Sequence, residues 1–143
     1  MRASLLWPAL LLALSCSEDC HEVDCGTTLI VELSSEDWLD GAHEVVIDAG
    51  ADSTTCGFVL NGGQAEQLAC SLAAVNLDPS ELEQGYMLIK YREGEPTELS
   101  VTVSRDGEEL AQGELTPVYE ELVLDPQACG GPCLAAQVSL DVP

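Results

Sequence analysis

Positive charge is almost missing from this chain. Its 143 residues hold four Lys and Arg against 26 Asp and Glu, a formal net charge of −22. Nucleic-acid binding needs a basic footprint to displace counterions, so that class is excluded. Electrostatic docking onto anionic lipid headgroups is excluded for the same reason. No apolar run approaches the ~20 residues of a transmembrane helix; the longest, Leu5–Leu14, is also interrupted by Trp7-Pro8. Histidine is scarce, with only His21 and His43 available as imidazole bases. There is no Gly-x-Ser-x-Gly elbow either, which leaves nucleophilic catalysis without base or seat. A hydrolytic enzyme therefore ranks last among the functional classes, and no cofactor is implied.

What the chain does have is a secretory N-terminus and seven cysteines. Arg2 precedes the apolar stretch Leu5–Leu14, and the small residue Ser15 precedes Cys16. The run Leu11-Leu12-Ala13-Leu14-Ser15-Cys16 resembles the lipobox of bacterial lipoproteins. It departs from that pattern in placing Ala13 where leucine is usual. The resemblance implies that residues 1–15 are a signal peptide, removed on export, and that Cys16 is lipidated as the first mature residue. Ser17, in the place of the aspartate that retains such proteins at the inner membrane, implies the outer membrane of a bacterial envelope. The alternative is an ordinary signal peptide cut near Ser15 or Ser17.

Removal of residues 1–15 leaves 128 residues, enough for one domain. Lys90, Arg92 and Arg105 then stand alone against 26 acids, a formal charge near −23. Attachment to a membrane must come from the lipid. A single acyl chain is a marginal anchor and several together hold; bacterial lipoproteins as a family carry three.

From Thr27 onward the hydrophobic pattern has period two. Leu29, Val31 and Leu33 alternate with Ile30, Glu32 and Ser34; Leu99, Val101 and Val103 alternate with Ser100, Thr102 and Ser104. Such alternation marks strands with one buried face. Turn signals separate the runs at Asp40-Gly41, Asn61-Gly62-Gly63, Glu93-Gly94-Glu95-Pro96 and Asp106-Gly107. The pattern predicts about eight strands, over 27–34, 43–49, 54–60, 65–70, 85–92, 98–104, 109–116 and 134–142, with 118–124 a ninth candidate. One helical turn is expected around Pro79–Glu83, with Asp78 as its cap. The pattern predicts an all-β fold class, an antiparallel β-sandwich over 27–143, with 16–26 as a tether.

With the Asn61–Gly63 turn centred on Gly63, Cys56 faces Cys70, Phe58 faces Leu68 and Leu60 faces Glu66. Opposed strand positions lie within disulfide reach, which pairs Cys56 with Cys70. Cys20, Cys25, Cys129 and Cys133 then admit several connectivities. Bridges between the two chain ends are expected if the first and last strands run side by side. The local alternative joins Cys20 to Cys25 and Cys129 to Cys133 across the Gly130-Gly131-Pro132 turn.

The same four cysteines with His21 offer zinc-ligand chemistry, though their spacing is not the paired Cys-x2-Cys of zinc ribbons, and exported thiols oxidise. A calcium site is the stronger metal reading. Asp48-Ala49-Gly50-Ala51-Asp52 places the carboxylates of Asp48 and Asp52 on one loop, and Glu36, Asp37 and Asp40 stand on another. His43 shares its face with Val45 and Ile47 and reads as a strand histidine. Trp38, the only tryptophan after the signal, reads as packing over one end of the core. Taken with the lipobox, the run Cys129-Gly130-Gly131-Pro132-Cys133 followed by a strand, together with Arg105-Asp106-Gly107 and Thr116-Pro117-Val118-Tyr119, resembles immunoglobulin-like envelope lipoproteins. That resemblance implies an anchored, non-catalytic interaction or structural module with an unidentified envelope partner.

Overall fold

The computed structural model describes residues 21–22, 26–122, 128–129 and 133–143. Alternating apolar residues become ten strands: β1 (Thr27–Ser34), β2 (Gly41–Asp48), β3 (Ser53–Asn61), β4 (Gln64–Cys70), β5 (Val75–Asp78), β6 (Tyr86–Tyr91), β7 (Leu99–Arg105), β8 (Glu108–Leu115), β9 (Glu120–Leu122) and β10 (Cys133–Asp141). They form two five-stranded sheets, one in the order β9-β10-β1-β6-β5 and the other in the order β4-β3-β2-β7-β8. Every neighbouring pair in the sheets is antiparallel except β10 with β1, which run parallel from Leu134 opposite Thr27 to Asp141 opposite Ser34. The domain is a β-sandwich.

Period two is the reason these segments are strands. Leu29, Val31 and Leu33 of β1 are fully buried, as are Val45 and Ile47 of β2 and Val101 and Val103 of β7. Their intervening residues face outward, and the two apolar faces meet as a single core with Phe58, Leu60, Met87, Ile89 and Tyr91. On the outer face of the first sheet the parallel pair carries polar side chains in register. Ser34 donates to Asp141 at 2.6 Å, and Gln137 and Ser139 both donate to Glu32.

Ten strands stand where about eight are expected. The ninth candidate is real, and its described part spans Glu120–Leu122. The other addition, β5, spans four residues and stops before Pro79, too few for an alternation to be visible. His21–Glu22, read as tether, pairs in parallel with Ala128–Cys129. The expected helical turn is a single 3₁₀ turn at Leu82–Gln84, whose N-cap is Glu81 and not Asp78; the Asp78 carboxylate instead accepts the Ser80 N–H ahead of the turn.

The β3–β4 hairpin corrects one register and upholds another. Its turn is the two residues Gly62 and Gly63, at φ 61° and 82°, so Asn61 faces Gln64 and Leu60 faces Ala65 rather than Glu66. Glycine accepts both positive φ values without a Cβ penalty, which allows the tight turn. A bulge then sets two residues, Gln67 and Leu68, against Phe58. Phe58 is consequently buried while Leu68 is exposed, and they do not share a face. The extra residue restores the register beyond it, so Cys56 does face Cys70, and the two are disulfide-bonded.

This bond ties the edge strand β4 to β3 within one sheet and closes a loop of 14 residues. Replacing Cys56 by Val and Cys70 by Ala should cost about 3 kcal/mol of unfolding free energy, the loop-closure contribution for a loop of that length. Urea denaturation of oxidised wild-type and variant proteins checks this figure; an unchanged midpoint would remove the bond from the account of stability.

Candidate functional site

β1 starts at Thr27 and ends at Ser34, and its neighbours sort the loops into two poles. At the Ser34 pole lie residues 35–40, the Gly62–Gly63 turn and the 79–85 segment. At the Thr27 pole lie residues 49–52, 92–98 and 116–119. Trp38 sits at the first pole, partly buried against the core, as its sequence context suggests.

The Trp38 indole is fixed by two kinds of contact. Its Nε1–H donates to the Gly85 carbonyl at 2.9 Å, and the same carbonyl accepts the Ser35 N–H at 2.9 Å. Gly85 has φ 96°, and a Cβ there would meet the Ser35 carbonyl oxygen at 2.7 Å, so only glycine fits. Below the indole, His43 stacks on Phe58 with ring centroids 4.9 Å apart and planes within 4°, and Trp38 meets the His43 ring edge-on at 5.6 Å. His43 is only 3% exposed. Its Nδ1–H donates to the Gly41 carbonyl at 3.1 Å, since a carbonyl can only accept. Burial lowers the His43 pKa below 6.5, Arg105 lowers it further, and the Gly41 carbonyl and Asp106 oppose this. The ring is a neutral core residue in line with Val45 and Ile47.

Two open depressions flank this pole, of about 580 Å³ and about 660 Å³. Ser35, Glu36, Asp37, Gln84 and Gly85 form the wall between them. The first is lined further by Trp38, Gly62 and Gly63, and the second by Tyr86 and Asp141. Asp40 is engaged beside the first, accepting the Gly62 N–H at 3.0 Å.

The calcium candidates stand at the opposite pole. Asp48 and Asp52 close the β2–β3 connection: the Asp48 carboxylate accepts the Gly50 N–H at 3.1 Å, and the Ala49 N–H donates to the Asp52 carbonyl at 2.8 Å. A depression of about 290 Å³ nearby brings Asp48, Glu98 and Glu114 to one rim. Among the described residues, no group of three or more His, Cys, Asp or Glu is placed to hold a metal ion. Glu36, Asp37 and Asp40 remain neighbours in the loop before β2, with the Asp37 N–H donating to Ser35.

Of the remaining cysteines, Cys133 opens β10 beside the start of β1 and is disulfide-bonded, so it offers no thiolate to zinc. The first and last strands do run side by side. Cys16, Cys20 and Cys25 lie outside the described residues, and only the backbone of Cys129 is described. Sequence reasoning missed the Trp38–Gly85 contact, because its 47-residue separation leaves no local signal.

Gly85→Ala should destabilise the domain by about 1–3 kcal/mol through a strained positive φ and the clash with Ser35. In the chain lacking residues 1–15, Trp38 emission should shift to the red as the indole is released. An unchanged melt and spectrum would show that this carbonyl does not seat the ring. For His43, the unfolded chain binds the proton at higher pH than the native state, so its contribution is present above pH 6.5 and is lost as pH falls toward the depressed native pKa. The melting temperature of wild-type protein should therefore fall relative to that of His43→Phe as pH drops below 6.5; parallel pH profiles would contradict the assignment.

Comparison with protein-family models, with curated proteins and with solved structures finds no match for this chain.

Proposed function

We propose that this protein is a bacterial envelope lipoprotein, anchored through lipid on Cys16, whose immunoglobulin-like sandwich serves as a non-catalytic interaction or structural module. The observation that carries this reading is the run Leu11-Leu12-Ala13-Leu14-Ser15-Cys16 behind a short basic and apolar leader. The disulfide-bonded all-β domain is consistent with it, since disulfides persist in extracytoplasmic compartments. The parallel pairing of first and last strands supports the immunoglobulin-like comparison. No described helix is long and apolar enough to cross a membrane. With three bases against 26 acids in the mature chain, electrostatics supply no substitute for a lipid.

Thr27 opens β1 at one pole, and in this reading the lipidated Cys16 precedes it by eleven residues, which favours the Thr27 pole as the membrane-proximal one. The opposite pole, with Trp38 and its two depressions, is then the surface this reading offers to an envelope partner. Ser17 favours the outer membrane as the destination.

Cys16→Ser should move the protein from the membrane fraction to the soluble fraction, and the intact mass of the wild type should include acyl chains on Cys16. Retention of the serine variant in membranes refutes the anchor. A calcium titration followed by thermal melting tests the rival class: the interaction-module reading expects an unchanged melt, and a saturable rise in melting temperature would favour a calcium binder.

A further inference from the structure

Asn61 ends β3 and is followed by Gly62 and Gly63, all three exposed at the hairpin tip. We propose that Asn61 is a latent site of spontaneous covalent modification, succinimide formation leading to aspartate and isoaspartate, which Asp40 holds in check. In that reaction the Gly62 backbone nitrogen attacks the Asn61 side-chain amide carbon. A new carbon–nitrogen bond closes a five-membered ring, the bond to the side-chain nitrogen breaks, and ammonia leaves with the Gly62 amide proton. Water then opens the ring at either carbonyl. The balance is one water in and one ammonia out.

The hairpin tip supplies what this chemistry needs. Gly62 has no side chain to obstruct the approach, and a Cβ built at either Gly62 or Gly63 would meet nothing within 4 Å, so the ring has room. Asn61 and Gln64 face each other in the β-ladder, leaving Gly62 inside the turn. An interaction that opposes the reaction sits at the attacking atom itself. The Gly62 N–H donates to Asp40 Oδ1 at 3.0 Å. A carboxylate acceptor stabilises the protonated amide and keeps its nitrogen from turning toward Asn61.

Modification would add one negative charge, and through the isoaspartate route one extra backbone atom, to a turn whose two-residue length sets the hairpin register. Gly62 and Gly63 also line the Trp38 depression, so the wall of that surface would change. This inference stands independently of the lipid anchor.

The test follows the peptide containing Asn61 by mass spectrometry during incubation of the folded protein at mildly alkaline pH, with Asn76 as the in-chain reference. Asp40→Ala should convert Asn61 about tenfold or more faster than wild type, the effect of releasing a hydrogen bond to a charged group. Asp40→Asn, which keeps a carbonyl acceptor, should stay nearer wild type. Folded Asp40→Ala reacting at the wild-type rate overturns the proposal. If that variant melts during incubation, native and urea-unfolded wild type decide instead: slower conversion in the native chain is expected, and equal rates overturn the guard.

Discussion

The parallel pairing of β10 with β1 is the constraint on which the rest of the sandwich depends. It joins residues 27–34 to 134–141 along eight opposed pairs, and the Val142 N–H extends the register by donating to the Ser34 carbonyl at 2.6 Å. Bonded to β10 on one side and β6 on the other, β1 lies at the centre of its sheet. The apolar side chains of β1 can then be fully buried. Closing a contact between the two ends of a chain is entropically expensive, so it must be matched by burial and by the outward ladder of Ser34–Asp141 and Glu32 with Gln137 and Ser139.

A domain so rich in acid must keep its carboxylates in water, and period-two strands allow that. Every second residue turns outward, so the glutamates and aspartates coat the surface, and among the described residues no Asp, Glu, Lys or Arg is buried. The four sheet edges are also blunted. β9 and β5 span three and four residues, β4 is bulged at Gln67, and β8 carries Glu108, Glu109 and Glu114. Short, bulged or charged edges resist pairing with another chain. Lys90 spans one of the few opportunities for ion pairing, reaching Asp78 at 3.3 Å in a largely solvated geometry. Asp78 is held below the usual carboxylate range mainly by the Ser80 N–H, then by the Ser80 side chain, with Lys90 a smaller cause and desolvation opposing.

The Trp38 pole shows how a local sequence becomes a surface only through distant partners. Trp38, His43 and Phe58 lie within one stretch of chain, yet the indole is oriented by Gly85 and the imidazole by the face of Phe58 and the carbonyl of Gly41. The same pole gathers Asp40, the Gly62–Gly63 turn and the 3₁₀ turn; the two turns line its open depressions, and Asp40 holds the first turn through the Gly62 N–H. The strand placement of His43 was legible from its alignment with Val45 and Ile47. The contacts that give the pole its shape were not, because they are made by backbone groups whose positions no side-chain pattern encodes.

The sequence by itself determined the all-β class, eight of the strands and the buried faces of strands such as β1, β2 and β7, because period-two burial is a local property; the face of β4 it misassigned at Leu68. It determined the Cys56–Cys70 pair as well, although through a turn placed one position off and a bulge that restored the register. The length of a two-glycine turn and the insertion of Gln67 are decided by how β4 packs beside β3. Only the tertiary structure decided that β5 exists, that β10 lies beside β1, and that Asp40 reaches Gly62. Those outcomes depend on groups brought together across the fold, and backbone hydrogen bonds between remote strands leave no periodic trace in either partner.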